Sequence, residues 1–466
     1  MSGSRGRRRT PAGRAGGRGQ TRLTRRGRVL AWSAGVTAVV VLGAGGAGAW
    51  IYQDLNNNIS SADVDDKLGG DRPENLSPGS KNILVVGSDS RDGANAKYGG
   101  NDLTTMQSDT LMVLHIPANR EWAAVVSFPR DSWVQIPACD KGDGKMSAPH
   151  KAKINEAFAI GGSSGEVAGA AACSIKTVEA HTGLRIDNFM SIDFSGFKGM
   201  VDALDGIEVC PKQKIVSDKA KLNMKAGCQT VDGETALGYV RVRYGVGDGS
   251  DIGRIGRQQE FMNALMKKAK EKLTSPDSLY GVLQSGTKSL TTDPAMAGIK
   301  PIYALANQLK GIPSERLAFL TVPNYPREAD FPKDLANVVW QYPQATDVFT
   351  ALANDKEMTK AQLQASVKNL VYASQVRVQV LNGTGVSGRA ADVAEKLRAA
   401  GYTVVGTGNA PQTVAKSAIT FPAGLEKQAA VLASRFPGAA STASADAAAG
   451  LVTLVVGPDL KLEKLE

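Results

Sequence analysis

Two carboxylates and a set of arginines fall where short apolar runs begin and end. Asp89 and Arg91 follow the run Asn82–Val86, in Gly87-Ser-Asp-Ser-Arg91, and Asp109 stands just before the run Thr110–Ile116. Pro129-Arg130-Asp131 closes a third run, Trp122–Phe128. If these runs are consecutive antiparallel strands, the end of the first, the start of the second and the end of the third share one sheet edge. Asp89, Arg91, Asp109 and Arg130 then converge on a single rim. A second basic group lies in Tyr239-Val-Arg-Val-Arg-Tyr244. Reading Tyr239–Val242 as a strand puts Arg241 and Arg243 on one face. Asp251-Ile-Gly-Arg254-Ile-Gly-Arg257-Gln258 opens a helix, on which Arg254 and Arg257 are neighbours.

Arginine holds phosphate oxygens well because its planar fork makes two parallel bonds at fixed charge. Aspartate binds Mg²⁺ through one or two oxygens while substrate phosphates supply others. Each pair alone is what solvated salt bridges also produce, but together they suit a diphosphate gripped by arginines and a divalent cation, Mg²⁺ first among them. No Ser-His-Asp or Cys-His arrangement is evident, so nothing here points to a covalent enzyme intermediate; if a base acts beside such a ligand, Asp89, Asp131 or no protein group would fit.

These residues need a layered scaffold. The runs Asn82–Val86, Thr110–Ile116, Trp122–Phe128 and Ile207–Val209 read as strands, and Ile154–Ile160, Gly165–Thr182, Asp193–Leu204 and Ile255–Leu273 as helices. Interleaving of this kind predicts an α/β domain over 81–342. Residues 274–340 read as mostly helical, with a strand at Leu317–Val322, and 343–373 as a polar, helical linker. A second small α/β unit over 374–460 follows: strands at Val376–Leu381, Tyr402–Gly406, Ala418–Phe421 and Leu451–Val456, helices at Gly388–Ala400 and Leu425–Arg435. Gly438–Gly450 reads as an Ala/Ser-rich loop.

The chain has 466 residues and a net charge of +10. Ten arginines and no acid lie in residues 1–28; removing those ten from 55 basic residues leaves 45 against 45 acidic ones. The remainder is electroneutral, which argues against a nucleic-acid-binding face. Val29–Tyr52 follows without a charge, and as a helix it would span roughly 36 Å, enough for a hydrocarbon layer. With the arginines before it, the positive-inside rule keeps the N-terminus cytoplasmic and exports the rest. Ala47-Gly48-Ala49 also fits a leader cleavage site, and export holds either way. Residues 53–80 read as a polar stalk. Cys139, Cys173, Cys210 and Cys228 all lie beyond the span; an oxidising location favours disulfides, and proximity pairs Cys139 with Cys173 and Cys210 with Cys228.

The motifs Asn82–Arg91, Ser108-Asp-Thr-Leu111, Ser127-Phe-Pro-Arg-Asp131, Lys153-Ile-Asn-Glu-Ala-Phe158, Val201-Asp-Ala-Leu-Asp-Gly206 and Ala236–Gln259 resemble, in order, those of the LytR-CpsA-Psr family. Val376–Gly385 resembles the LytR C-terminal domain that accompanies many members. The resemblance implies a three-layer α/β/α domain with a central mixed sheet, a small C-terminal α/β domain and one N-terminal transmembrane helix. It implies an Mg²⁺-dependent phosphotransferase that moves a glycopolymer from a polyprenyl-diphosphate carrier to a sugar hydroxyl of peptidoglycan. Carried over by motif, Asp89 and Asp109 are the metal carboxylates. Asp89, Arg91, Arg130, Arg241 and Arg243 form the catalytic set; Arg254, Arg257 and Gln258 bind substrate, and Asn155 is structural support. Gln107 stands where many members carry Arg, which leaves that work to Arg91, and the Asp92–Gln107 loop lengthens the gap between the two aspartates. A non-catalytic receptor for a prenyl-linked ligand and a polyprenyl-diphosphate hydrolase are the competing expectations.

Gly383-Thr-Gly-Val-Ser-Gly388 matches the dinucleotide fingerprint between a strand and a helix, but Tyr402–Asn409 supplies no ribose-binding acid. A Gly-rich turn is the better reading.

Overall fold

The computed structural model describes residues 49–88, 106–142, 144–218, 220–242, 251–272, 276–359 and 370–462, with backbone alone at 251–256, 259 and 276–280. The Arg-rich tail, most of the apolar run, Asp89, Arg91, the bulk of the 92–107 loop, Arg243 and the Arg254 side chain lie outside the described residues. Among the described residues no helix is long and apolar enough to cross a membrane.

Seven strands form the central sheet: β1 (Ser60–Ser61), β2 (Lys81–Ser88), β3 (Ser108–Ile116), β4 (Ala123–Phe128), β5 (Asn188–Asp193), β6 (Leu290–Thr292) and β7 (Leu317–Thr321), in the order β1-β6-β5-β2-β3-β4-β7. β2, β3 and β4 make the expected antiparallel meander, whereas β5 lies parallel to β2 and β7 parallel to β4. The sheet is therefore mixed. Its central strands read as continuous apolar runs because both faces are covered. Leu84, Val86, Leu111, Val113, Val126 and Phe128 pack to one side. There they meet α1 (Glu156–Gly161), α2 (Val167–Thr182) and, from the far end of the domain, α8 (Gln344–Ala353). The alternate residues Ile83, Val85, Leu114 and Val125 face the other side. That side carries α3 (Phe194–Ala203), α4 (Gly233–Arg241), α5 (Asp251–Lys272), α6 (Pro276–Thr287) and α7 (Ile299–Gly311). The result is three layers, α/β/α. α1 and α2 touch through glycines: a Cβ on Gly161 would sit 2.1 Å from the Gly169 carbonyl oxygen.

The C-terminal unit is a five-stranded sheet of β8 (Arg377–Asn382), β9 (Thr403–Asn409), β10 (Ala418–Phe421), β11 (Ala440–Ala443) and β12 (Val452–Val456), ordered β9-β8-β12-β10-β11. With α9 (Arg389–Ala399) and α10 (Glu426–Ala433) it encloses its own core. The Gly383–Gly388 segment is a turn held by Asn382, whose Oδ1 accepts from the Thr384 backbone N–H at 3.0 Å. Gly385 and Gly388 have φ of 75° and 83°, where only glycine is unstrained.

Four expectations are corrected. Tyr239–Val242 is not a strand: its residues end α4, because Asp232 caps that helix by accepting from Thr235 N–H at 2.8 Å and Ala236, Leu237 and Tyr239 bury one helical face. The β-favouring Tyr-Val pair concealed that period. Residues 55–80 are not a free stalk. Leu55, Ile59, Val64 and Leu68 are buried, Ser60-Ser61 pairs with Thr291-Thr292 at the sheet edge, and Arg72 Nη2 lies 2.6 Å from the buried Glu179 carboxylate. Spaced apolar residues among polar ones hid this packing. Residues 274–340 hold only two long helices, with additional strands at Asn324–Pro326 and Val338–Trp340. Gly438–Gly450 contains β11, an edge strand whose exposed Ala and Ser side chains leave no alternation to read. Both disulfides pair as proximity indicated, Cys139–Cys173 and Cys210–Cys228.

Candidate functional site

The meander delivers its charged groups to one rim. Ser88 at the end of β2 pairs with Ser108 at the start of β3, and Leu111 pairs with Phe128 at the end of β4. Asp109 and Arg130 consequently meet: Arg130 Nη1 donates to Asp109 Oδ1 at 2.7 Å. The Pro129–Ser132 turn that carries Arg130 is fixed by Ser132 Oγ, which donates to Pro129 O at 2.6 Å and accepts from Trp340 Nε1 at 2.9 Å. Asn155 supports the same turn through its backbone N–H, 3.4 Å from Arg130 O.

Arg241 reaches this rim from the last turn of α4 instead of from a strand. Its Nε is 3.5 Å from Asp109 Oδ2, and its guanidinium lies 4.5 Å from the centre of the Phe194 ring. Asp109 thus sits between two guanidinium groups. Asp131 is drawn away from the opening, 2.7 Å from Lys153 Nζ and 3.8 Å from Arg130 Nε. Held between two cations, it is suited to orienting Arg130 rather than to accepting a proton from a substrate.

Of the expected substrate-binding residues on α5, Gln258 lines the opening and donates from Nε2 to Val240 O at 3.1 Å. Arg257 does not line it. Its guanidinium is buried behind the wall, with Nη2 donating to Val242 O at 2.5 Å. Both side chains latch α5 onto carbonyls at the end of α4, the segment that positions Arg241. One participant was missed because β5 was missed. Asp193 ends β5 opposite Ser88, borders the cavity, and caps α3 by accepting from Gly196 N–H at 2.8 Å. An Asp followed by an apolar, helix-period run is its sequence signal.

Below the rim, between the sheet and helices α3, α4 and α5, lies a cavity of about 360 Å³. Val85, Met112 and Val125 line its sheet side, and Phe197, Leu237 and Phe261 its helix side. An apolar hollow of this kind accepts a hydrocarbon chain, while the rim of Asp109, Arg130, Arg241 and Gln258 faces whatever polar head the chain carries. Among the described residues no group of three or more His, Cys, Asp or Glu could hold a metal by itself. A single carboxylate such as Asp109 nonetheless fits Mg²⁺, which takes one or two protein oxygens and completes its shell with phosphate and water.

Fold and rim together define an α/β/α domain with an apolar cavity and a cationic mouth. By sequence, the chain belongs to the LytR-CpsA-Psr family, whose profile it matches over residues 51–364. Residues 375–460 match the domain described as LytR cell envelope-related transcriptional attenuator. Its relatives include the probable cell wall biosynthesis protein LcpB of Corynebacterium glutamicum, 40% identical over 42% of this chain and 43% of that protein, so that less than half of LcpB's length is covered. The cell wall biosynthesis protein LcpA of the same organism is 28% identical over 82% of this chain and 76% of its own. TagT of Bacillus subtilis, a polyisoprenyl-teichoic acid–peptidoglycan teichoic acid transferase, is 28% identical over 61% of this chain and 83% of its own. Among solved structures, TagT bound to LI-WTA aligns with a TM-score of 0.43 at 21% identity, covering 64% of this chain and 99% of that one.

Proposed function

We propose that this chain transfers a phosphate-linked glycopolymer from a polyprenyl-diphosphate carrier to a sugar hydroxyl of peptidoglycan. The observation that carries the reading is the apolar cavity opening beneath Asp109, Arg130 and Arg241. A prenyl chain in the cavity leaves its two phosphates at the rim, within reach of both guanidinium groups. The name of TagT, a polyisoprenyl-teichoic acid–peptidoglycan teichoic acid transferase, supports this class of substrate, and that of LcpA supports a part in cell wall biosynthesis.

In the reaction, the acceptor hydroxyl oxygen attacks the phosphorus bearing the glycan, in line with the bridging oxygen. A new P–O bond forms to the sugar, the bridging P–O bond breaks, polyprenyl phosphate leaves, and the hydroxyl proton passes to the medium or a nearby base. Arg130 and Arg241 neutralise charge that grows on the diphosphate oxygens, and they are oriented before substrate arrives, one by Asp131 and Asp109, the other by Phe194 and Asp109. Asp109, with Asp89 by motif, would hold Mg²⁺, which would supply further positive charge to the diphosphate when bound. Arg91, Arg243 and Arg254 are assigned to the same clamp by motif alone, and the apolar run 29–52 would anchor the chain to the membrane that holds the carrier.

Release of polyprenyl phosphate by the full-length chain in detergent, with and without peptidoglycan and with Mg²⁺ or a chelator, tests the proposal. Acceptor-dependent, chelator-sensitive release coupled to glycan attachment is expected. Release that ignores acceptor would make the protein a hydrolase, and binding without release would make it a receptor.

A further inference from the structure

A second cationic cluster lies in a cleft between the two domains, none of whose lining residues borders the first cavity. The cleft has a volume of about 80 Å³ and receives Lys151, Arg327 and Arg435 on its walls. Lys151 stands opposite Gln135 in a two-stranded ribbon, Arg327 follows the strand Asn324–Pro326, and Arg435 comes from the C-terminal domain just past α10.

The charges do not balance. Arg327 pairs with Asp334. Asp330, the other nearby carboxylate, is spent on the Tyr325 hydroxyl at 2.7 Å and the Ser374 N–H at 2.9 Å. Burial, and after it the positive charge of Arg435, Arg327 and Lys396, push the Lys151 ammonium pKa down. The Arg435 guanidinium is held by an aromatic face, 4.3 Å from the Tyr342 ring centre, and its buried Nε has no hydrogen-bond partner among the described residues. Arg327 is likewise sandwiched, 3.9 Å from the Phe331 ring and 5.3 Å from Trp133. Aromatic faces fix a cation without neutralising it. Of the other titratable wall residues, His181 is neutral, its pKa lowered to about 4 by burial, and burial raises the pKa of the Tyr325 and Tyr402 hydroxyls, which stay neutral as well. Two uncompensated cations, Lys151 and Arg435, the latter oriented by the Tyr342 ring, are thus brought to one cleft across a domain junction, which is unfavourable unless an anion joins them.

We propose that this cleft binds an anionic sugar group, a carboxylate or phosphate borne on a glycan, clasped between Lys151 of the first domain and Arg435 of the second. One water needs roughly 10–15 Å³ of such space, so the cleft admits a charged substituent with part of a ring, not a polymer. That the anion sits on a glycan rests on the proposed function; the anion site itself does not, and its test is binding without turnover.

The experiment titrates the full-length chain in detergent with N-acetylmuramic acid, glycerol 3-phosphate and neutral N-acetylglucosamine, by calorimetry. At least one anion should bind tenfold or more tightly than the neutral sugar. Lys151→Gln/Arg435→Gln should weaken that anion at least tenfold, whereas Arg241→Ala, which alters only the rim, should not. Preference for the muramic acid assigns the ligand to the acceptor; preference for the phosphate assigns it to the donor polymer. Equal binding of the neutral sugar, no binding of either anion, or unchanged affinity in the double variant overturns the site. Should that variant misfold, hydrogen exchange on the wild-type chain decides. Ligand should protect residues 133–136 and 431–435 together, and protection of neither overturns the proposal.

Discussion

Arg130→Ala removes the group that, in the proposed reaction, joins the meander to the substrate. In the free protein, Arg130 is 21% exposed and bonds Asp109, 24% exposed, at 2.7 Å. Such partly solvated pairs contribute little to stability, at most ~1 kcal/mol. Asp109 also keeps Arg241, and Asp131 keeps Lys153. The fold should therefore survive. In the reacting complex, a hydrogen bond between charged groups is worth about 1.5–3 kcal/mol, and each ~1.4 kcal/mol is tenfold in rate. The expected loss is roughly 10- to 150-fold in kcat/KM, with the thermal midpoint nearly unchanged. Arg130→Lys keeps the charge but not the fork and should fall between. The assay is release of polyprenyl phosphate under first-order conditions, alongside a melting curve. If Arg130→Ala stays within threefold of the unaltered chain, the clamp reasoning fails. A loss accompanied by a collapsed melting curve would mean that Arg130 holds the fold instead.

Other outcomes follow from the same geometry. Val85→Phe narrows the cavity floor; with burial worth ~0.8 kcal/mol per methylene, excluding one five-carbon unit should raise KM for a long carrier more than tenfold while sparing a two-isoprene analogue, and equal effects on both would contradict a chain-holding cavity. His115 is buried between the sheet and Trp122, and burial outweighs Asp355 Oδ1, 3.2 Å away, to lower its pKa to about 4 from 6.5. Below pH 6.5 the unfolded chain takes protons that the folded one refuses, so stability is full above that pH and declines toward pH 4, by up to roughly 3 kcal/mol at ~1.4 per unit. Urea denaturation at stepped pH should show that decline, to which His181 adds a like share because burial also lowers its pKa to about 4, and a shallower slope in His115→Gln; an unchanged slope in that variant would refute it. Cys139 and Cys173 close a loop of 34 residues, for which chain entropy gives about 3–4 kcal/mol; Cys139→Ser/Cys173→Ser should lose that much in the same denaturation assay.

The rim was legible because the three strands that form it are consecutive and doubly buried, so each appears as an uninterrupted apolar run with its charged residues at the ends. Local order in sequence became local order in space. Arg241 was legible as a residue but not as an element: a capped helix ending in Tyr-Val-Arg-Val alternates over four residues as a strand does, and only Asp232 three positions before Thr235 betrays it. β5 escaped notice because Asn188–Asp193 mixes polar and apolar residues while inserting parallel to β2 from far away. The cleft between the domains was illegible for a deeper reason. Lys151, Arg327 and Arg435 share no spacing, and their proximity is created by docking of two separately cored units, through contacts such as Ser374 N–H to Asp330.

The most direct test is photo-crosslinking with a polyprenyl diphosphate carrying a diazirine in its hydrocarbon chain, followed by peptide mapping. Label is predicted on the walls of the cavity, in Phe194–Ala203, Gly233–Arg241 and the middle of Asp251–Lys272, with competition by unlabelled diphosphate and loss in Arg130→Ala/Arg241→Ala. Label confined to the outer surface or to the C-terminal domain, or indifferent to those arginines, would contradict the account.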